Sequence, residues 1–218
     1  MYSILEHYLS TNHILMIGMI VTFILTFFLL EHPFSFLPSD QGRAFAVNGS
    51  LSKGKLRGVG FIFVLCFLIS SVLFLPIDVE YVIYAILLFA MMISGYLDDA
   101  SKTPWNEYKK GLIDLVISIV AVLTYMNFNS TTICFGADEI VIPKALFLIL
   151  GVILIWVSVN VTNCTDGVDG LCASLCSVTL LAFGVLFAPI LQKYAMANFL
   201  FLSVCLPICT LTAHPAAC

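Results

Sequence analysis

Tyr81-Val-Ile-Tyr-Ala-Ile-Leu-Leu-Phe-Ala-Met-Met-Ile-Ser-Gly-Tyr-Leu97 is an uncharged run that ends directly on Asp98-Asp99. A helix crossing a bilayer needs roughly 20 mostly apolar residues, so this run reads as a membrane span with two adjacent carboxylates at its end. Adjacent aspartates repel, which favours a nearby cation or a raised pKa on one of them. The plain alternative is an acidic helix end facing water.

The rest of the chain resembles that stretch. Hydrophobic residues fill 61% of 218 positions and charged residues 10%, against about 25% charged in a soluble domain. Apolar runs near 13–30, 58–76, 79–97, 112–127, 144–162, 172–190 and 195–213 predict seven spans. In lipid the backbone must satisfy its own hydrogen bonds, so these are helices. The fold class is therefore an all-α polytopic membrane protein, with residues 1–218 as one domain and no soluble domain attached. The first run lacks a basic leader and a small-residue cleavage site, so it reads as a retained span. Asp114, near the start of the fourth run, is expected at the interface. Thr131-Thr132-Ile133 and Glu139-Ile140-Val141-Ile142, between the fourth and fifth runs, predict a small hairpin.

Seven of the nine basic residues (Arg43, Lys53, Lys55, Arg57, Lys102, Lys109 and Lys110) fall between spans 1 and 2 or spans 3 and 4. The positive-inside bias then places the N-terminus outside and these loops in the cytoplasm. The net charge of −4 adds little, and no nucleic-acid partner is expected. Cys172/Cys176 and Cys205/Cys209 share helix faces, but read as small packing residues in lipid-embedded helices.

Even numbers of spans separate Ser52–Gly58, Asp98–Lys102, Asn163–Gly170 and His214-Pro215, so all four segments can face one side. Asp166 and Asp169 are three apart, which puts both carboxylates on one face of a helical turn. Gly167 and Gly170 permit close backbone approach to a ligand, and Asn160 and Asn163 add amides able to bind a base or sugar. A polar interhelical turn would also use Asn, Asp and Gly, but it leaves two acids opposite another acidic pair unexplained. Lys55 and Arg57, between glycines, suit a phosphate loop or anionic headgroups. Lys102, four residues beyond Asp98, suits a pairing with it or a phosphate contact. Lys109 and Lys110 read as headgroup or topology residues. Mg²⁺ suits such a place, because it takes one or two carboxylates plus substrate phosphates. Together these residues predict an enzyme acting on a membrane-bound phosphate substrate.

Gly95-Tyr96-Leu97-Asp98-Asp99-Ala100-Ser101-Lys102, followed by Lys110-Gly111-Leu112, resembles the double-aspartate loop of the polyprenyl-phosphate N-acetylhexosamine-1-phosphate transferases. Asn163-Cys-Thr-Asp166-Gly167-Val-Asp169-Gly170-Leu171 is similar to their second signature. The resemblance implies Mg²⁺-dependent transfer of a phosphosugar from a UDP conjugate to undecaprenyl phosphate. Within the family the muramoyl-pentapeptide branch is nearest, with UDP-N-acetylmuramoyl-pentapeptide as donor and peptidoglycan assembly as the purpose. It implies catalytic roles for Asp98, Asp99 and Asp166, with Asp98 and Asp99 at the metal. Substrate contacts would come from Lys55, Arg57, Lys102, Asn160, Asn163, Asp169 and Gly170, and a homodimer is possible.

Two departures bear on this reading. Lys53-Gly-Lys55-Leu-Arg57-Gly58-Val-Gly60 differs from the family's usual Thr-Pro-Thr-Met-Gly-Gly loop. The family also has about ten spans, and continues into a Gly-Asp-x-Gly-Ser motif and a His-rich loop. The expectation is thus a C-terminally incomplete chain, inactive as 218 residues. The rival readings are a transferase using UDP-N-acetylglucosamine and an ion-coupled transporter, whose acids would sit nearer the bilayer midplane.

Overall fold

The computed structural model describes the backbone of residues 1–32, 34, 36–38, 58–101, 105–135, 138–165, 171–189 and 191–212. Eight helices and one hairpin follow in the order α1 (Tyr2–Leu5), α2 (Thr11–Glu31), α3 (Val59–Phe74), α4 (Val79–Ala100), α5 (Glu107–Phe128), β1 (Thr132–Phe135), β2 (Asp138–Val141), α6 (Lys144–Thr165), α7 (Leu171–Phe187) and α8 (Gln192–Thr212). Helices α2 to α8 coincide with the seven expected spans, and the chain is an all-helical polytopic membrane protein. Five of them are long and apolar enough to cross a membrane, whereas α3 and α7 have 16 and 17 residues. At 1.5 Å per residue those two cover about 24–26 Å, somewhat less than a hydrocarbon core of about 30 Å. The one-turn helix α1 was not anticipated.

Local chemistry sets several helix ends. Asp78 caps α4, its carboxylate accepting the Tyr81 N–H at 2.7 Å, and Asn106 caps α5 by accepting the Tyr108 N–H at 3.2 Å. These side chains satisfy amides that have no partner within the helix. Ser101 stops α4 in extended backbone, its hydroxyl turned back onto the Asp98 carbonyl at 2.7 Å. At the start of α3, Gly58 has φ 72°, and a Cβ there would lie 3.4 Å from both Pro38 and Tyr96. Only glycine adopts that conformation without strain.

The packing is centred on α8, which lies against α2, α3 and α7. Met196, Leu200 and Val204 of α8 meet Phe67 and Leu75 in the main buried cluster. Between α2 and α3, a Cβ at Gly18 would lie 3.0 Å from the Phe74 ring, and Thr22, Thr26, Ser70 and Ser71 are buried. Small residues of this kind let helix backbones approach closely in lipid. Helix α4 packs on α3 and α5, and α5 packs on α6. Burial is 44% across the α8 span and 6% across α6, so α6 is peripheral and leans on α5. Contacts along that pair include Gly151 against Val122, stacked Tyr125 and Phe147, and a 2.8 Å bond from Trp156 Nε1 to the Gly111 carbonyl.

The expected hairpin forms, antiparallel, with Thr132 opposite Val141. Its base is closed by Ile142 N–H to Thr131 O at 3.1 Å and Thr131 Oγ1 to Ile142 O at 2.9 Å. Asp114 lies two turns into α5, which begins at Glu107, and is buried at 4%.

Candidate active site at the α4–α6 end of the bundle

Asp98 and Asp99 occupy the last turn of α4. Asp98 is half-buried and anchored twice. Its Oδ1 accepts the Trp105 backbone N–H at 3.0 Å, and its Oδ2 lies 3.5 Å from Lys110 Nζ. The first contact brings the residue just ahead of the Asn106 cap onto the carboxylate. The second comes from the first turn of α5. Lys109, beside it, points elsewhere and stands 3.5 Å over the Trp105 ring, a cation–π contact.

Lys110 also donates to Asn163 Oδ1 at 3.3 Å. Asn163 lies in the last turn of α6, so one ammonium joins the ends of three helices and both sequence motifs. The Trp156–Gly111 bond supports this contact, since Gly111 follows Lys110 and Trp156 lies two turns before Asn163. On α4, two residues before Asp98, Tyr96 donates its hydroxyl to the Phe36 carbonyl at 2.9 Å. Asp98 and Asp99 thus end a continuous 22-residue helix, at a bundle mouth rather than on a broken helix at mid-depth.

Of the anticipated residues, Asp98 and Asn163 are brought together. Asp99 is exposed beside them. Asn160 is half-exposed on the preceding turn of α6, its amide donating to the Trp156 carbonyl at 2.8 Å. Lys55, Arg57, Lys102, Asp166, Asp169 and Gly170 lie outside the described residues. The sequence reading missed Trp105, and it gave Lys110 a topology role although the structure places it on Asp98. The available signal was Lys110-Gly111, which followed the double aspartate within the recognised motif.

Among the described residues no group of three His, Cys, Asp or Glu side chains could hold a metal by itself. The donor chemistry still fits Mg²⁺. A carboxylate offers about four lone-pair positions and Asp98 has two engaged, so two hard oxygen donors remain at Asp98 beside the exposed Asp99. Mg²⁺ commonly takes one or two carboxylates and completes its shell with water and substrate phosphates.

A second polar cluster lies at the other end of α4. Glu80 is buried at 7% and accepts from Asn129 Nδ2 at 2.7 Å and from the Tyr84 and Tyr194 hydroxyls at 3.3 Å. Lys193 Nζ stands 3.5 Å from Glu80 and also donates to Asp78. Partial burial of Asp78 works against its charge, but the Lys193 ammonium and the Tyr81 amide outweigh it and hold the carboxyl below its usual range.

Comparison with known proteins fits the geometry at the Asp98 end. The sequence profile of glycosyl transferase family 4 matches residues 81–218, which include both motifs. The phospho-N-acetylmuramoyl-pentapeptide-transferase of Treponema pallidum (strain Nichols) is 34% identical over 189 residues, covering 84% of this chain and 52% of that protein. The protein of the same name from Microcystis aeruginosa (strain NIES-843 / IAM M-2473) is 31% identical over 171 residues, covering 72% of this chain and 46% of its own length. The chain spans about half the length of the curated relatives it matches. A match over most of the chain, with the double aspartate and Asn163 inside it, means that the chain belongs to glycosyl transferase family 4.

Proposed function

We propose that this chain contributes to a phosphoglycosyl transferase that moves phospho-N-acetylmuramoyl-pentapeptide from its UDP conjugate to undecaprenyl phosphate. The reaction gives UMP and the lipid-linked product used in peptidoglycan assembly. The observation that carries this reading is Lys110 joining Asp98 to Asn163, because it draws two recognised motifs into one polar mouth at the membrane surface. The names and extent of the matching relatives support the donor.

An oxygen of the lipid phosphate forms a bond to the β-phosphorus of the donor. The bond from that phosphorus to the oxygen bridging the two phosphates breaks, and its electron pair leaves with UMP. A phosphate monoester has its second pKa near 6, so near pH 7 the nucleophile is largely ionised and needs orientation more than deprotonation. Asp98 and Asp99 would hold Mg²⁺, which when bound neutralises charge on the pyrophosphate. Lys110 keeps Asp98 and Asn163 in register and adds positive charge where phosphates gather. Lys55, Arg57 and Lys102 would contact phosphates, and Asn160, Asn163, Asp166, Asp169 and Gly170 would line the nucleotide and metal region. The site would face the cytoplasm, with the N-terminus outside.

The test is UMP release by membranes containing the full gene product, given undecaprenyl phosphate and either UDP-N-acetylmuramoyl-pentapeptide or UDP-N-acetylglucosamine. Release with the first donor, abolished by Asp98→Asn, is the expected result. Preference for the second donor, or turnover indifferent to Asp98, overturns the proposal.

A further inference from the structure

An apolar cavity of about 160 Å³ opens between α3, α4 and α8, at the membrane end opposite Asp98. Phe67 and Leu75 border it on one side, Tyr81, Tyr84 and Ala85 on the second, and Ala197 on the third. The tyrosine hydroxyls around it are engaged, Tyr81 with Ser71, and Tyr84 and Tyr194 with Glu80. An apolar cavity of about this size stays dry and takes up hydrocarbon. Within a membrane span, the hydrocarbon at hand is an acyl chain.

Lys193 and Tyr194 border the cavity too, which ties it to the polar cluster of Asp78, Glu80 and Lys193. An ammonium has three N–H donors. Lys193 donates one to Asp78 and lies 3.5 Å from Glu80, leaving at least one for a phosphate oxygen. The Asp78 carboxylate accepts from the Tyr81 amide and from Lys193, keeps lone pairs to spare, and is half exposed at 51%. Two carboxylates and one ammonium sum to a formal charge of −1. That balance repels a purely anionic headgroup and suits one that brings its own amine.

We propose that this is a binding site for a zwitterionic, primary-amine phospholipid in the leaflet opposite Asp98. One acyl segment fills the cavity, the phosphate meets Lys193 and the ammonium meets Asp78. A headgroup lacking N–H donors, such as choline, forgoes the hydrogen bond to Asp78. The proposal stands independently of the transferase reading.

Native mass spectrometry of the full chain in detergent, with phosphatidylethanolamine, phosphatidylglycerol or phosphatidylcholine added at equal concentration, tests it. The ethanolamine lipid is expected at about fivefold higher occupancy than the glycerol lipid, a difference of about 1 kcal/mol. Ala85→Leu and Ala197→Leu, which fill the cavity, are expected to remove that bound lipid. Asp78→Asn keeps the helix cap and is expected to erase the preference between headgroups. Equal occupancy of the three lipids on the unmodified chain overturns the proposal, and that comparison stands even where a filled variant fails to fold. Unchanged ethanolamine-lipid binding by a folded, cavity-filled variant overturns it as well.

Discussion

Lys110 Nζ stands 3.3 Å from Asn163 Oδ1, although 53 positions separate the two residues. The same nitrogen lies 3.5 Å from Asp98, so removing it uncouples α4 from α6. Hydrogen bonds to charged groups contribute about 1.5–3 kcal/mol, which corresponds to about 10- to 150-fold in a rate. Lys110→Met is therefore expected to lower kcat/KM for UMP release by at least about tenfold, with helix content unchanged in circular dichroism. Lys110→Arg, which retains charge and donors, should recover part of the loss. Wild-type kinetics in Lys110→Met would rule out the bridging role.

Trp156→Phe removes the donor to the Gly111 carbonyl while keeping an aromatic ring at the α5–α6 contact. The expected loss of stability is about 0.5–1.5 kcal/mol, read as a lower Tm in detergent. Activity should fall as well, because the neighbouring residue is Lys110. A variant with lowered Tm and unchanged turnover would show that the contact supports the hairpin of helices and not the site.

Gly151→Ala tests the same helix pair at closer quarters. A Cβ there would lie 3.0 and 3.1 Å from the two methyls of Val122, and a β-branched side chain in a helix has little rotamer freedom with which to yield. The expected destabilisation is about 1–3 kcal/mol. Val122→Ala in the same chain should relieve it, and an absence of coupling in that double-mutant cycle would count against direct contact.

Asp78 gives a pH prediction. Its folded-state pKa lies below that of the unfolded chain because Lys193 and the Tyr81 amide favour the carboxylate. Its contribution is thus fully present above the ordinary aspartate value of about 3.9 and is lost as pH falls through the lower folded value. The Tm difference between wild type and Asp78→Asn should stay constant from about pH 7 to about pH 4 and shrink below that. A difference that grows on acidification would reverse the assignment.

Glu80→Ala should be the more damaging change in that cluster. It takes from Asn129 and two tyrosine hydroxyls the acceptor they share and removes one of the two carboxylates beside Lys193, and a buried donor left unsatisfied costs about 1–3 kcal/mol. Glu80→Gln keeps acceptor geometry and should lose less. Equal Tm losses would mean that the cluster acts through packing alone.

The spans were legible because long uncharged runs have few soluble alternatives, and the hairpin because two β-branched segments flank a short turn. The start of α5 was not. Glu107, Lys109 and Lys110 look like loop in hydropathy, yet the Asn106 cap makes them helical, and that shift of one turn brings Lys110 to Asp98. The Trp105 amide on Asp98 is a backbone contact, which no side-chain pattern encodes. Glu80 and Lys193 each look like an ordinary charge at a helix end. Their pairing across 113 positions, with Asn129 and Tyr194 closing around them, follows from the packing of α3, α4 and α8. At the Asp98 end, Asp98 and Asn163 were readable as a pair because polar motifs separated by an even number of spans can emerge on one side.

The Trp156–Gly111 bond makes α6 a lever with a fixed pivot. From Lys144 to Asn163 the helix is about 29 Å long, and a rod pivoting at its far end would carry Asn163 about 5 Å for a tilt of about 10°. Pinned at Trp156, the free arm is about 10 Å and the same tilt moves Asn163 by about 2 Å. A helix at the edge of the bundle, supported mainly by α5, can therefore sway with the bilayer while its tip keeps much closer aim on Lys110.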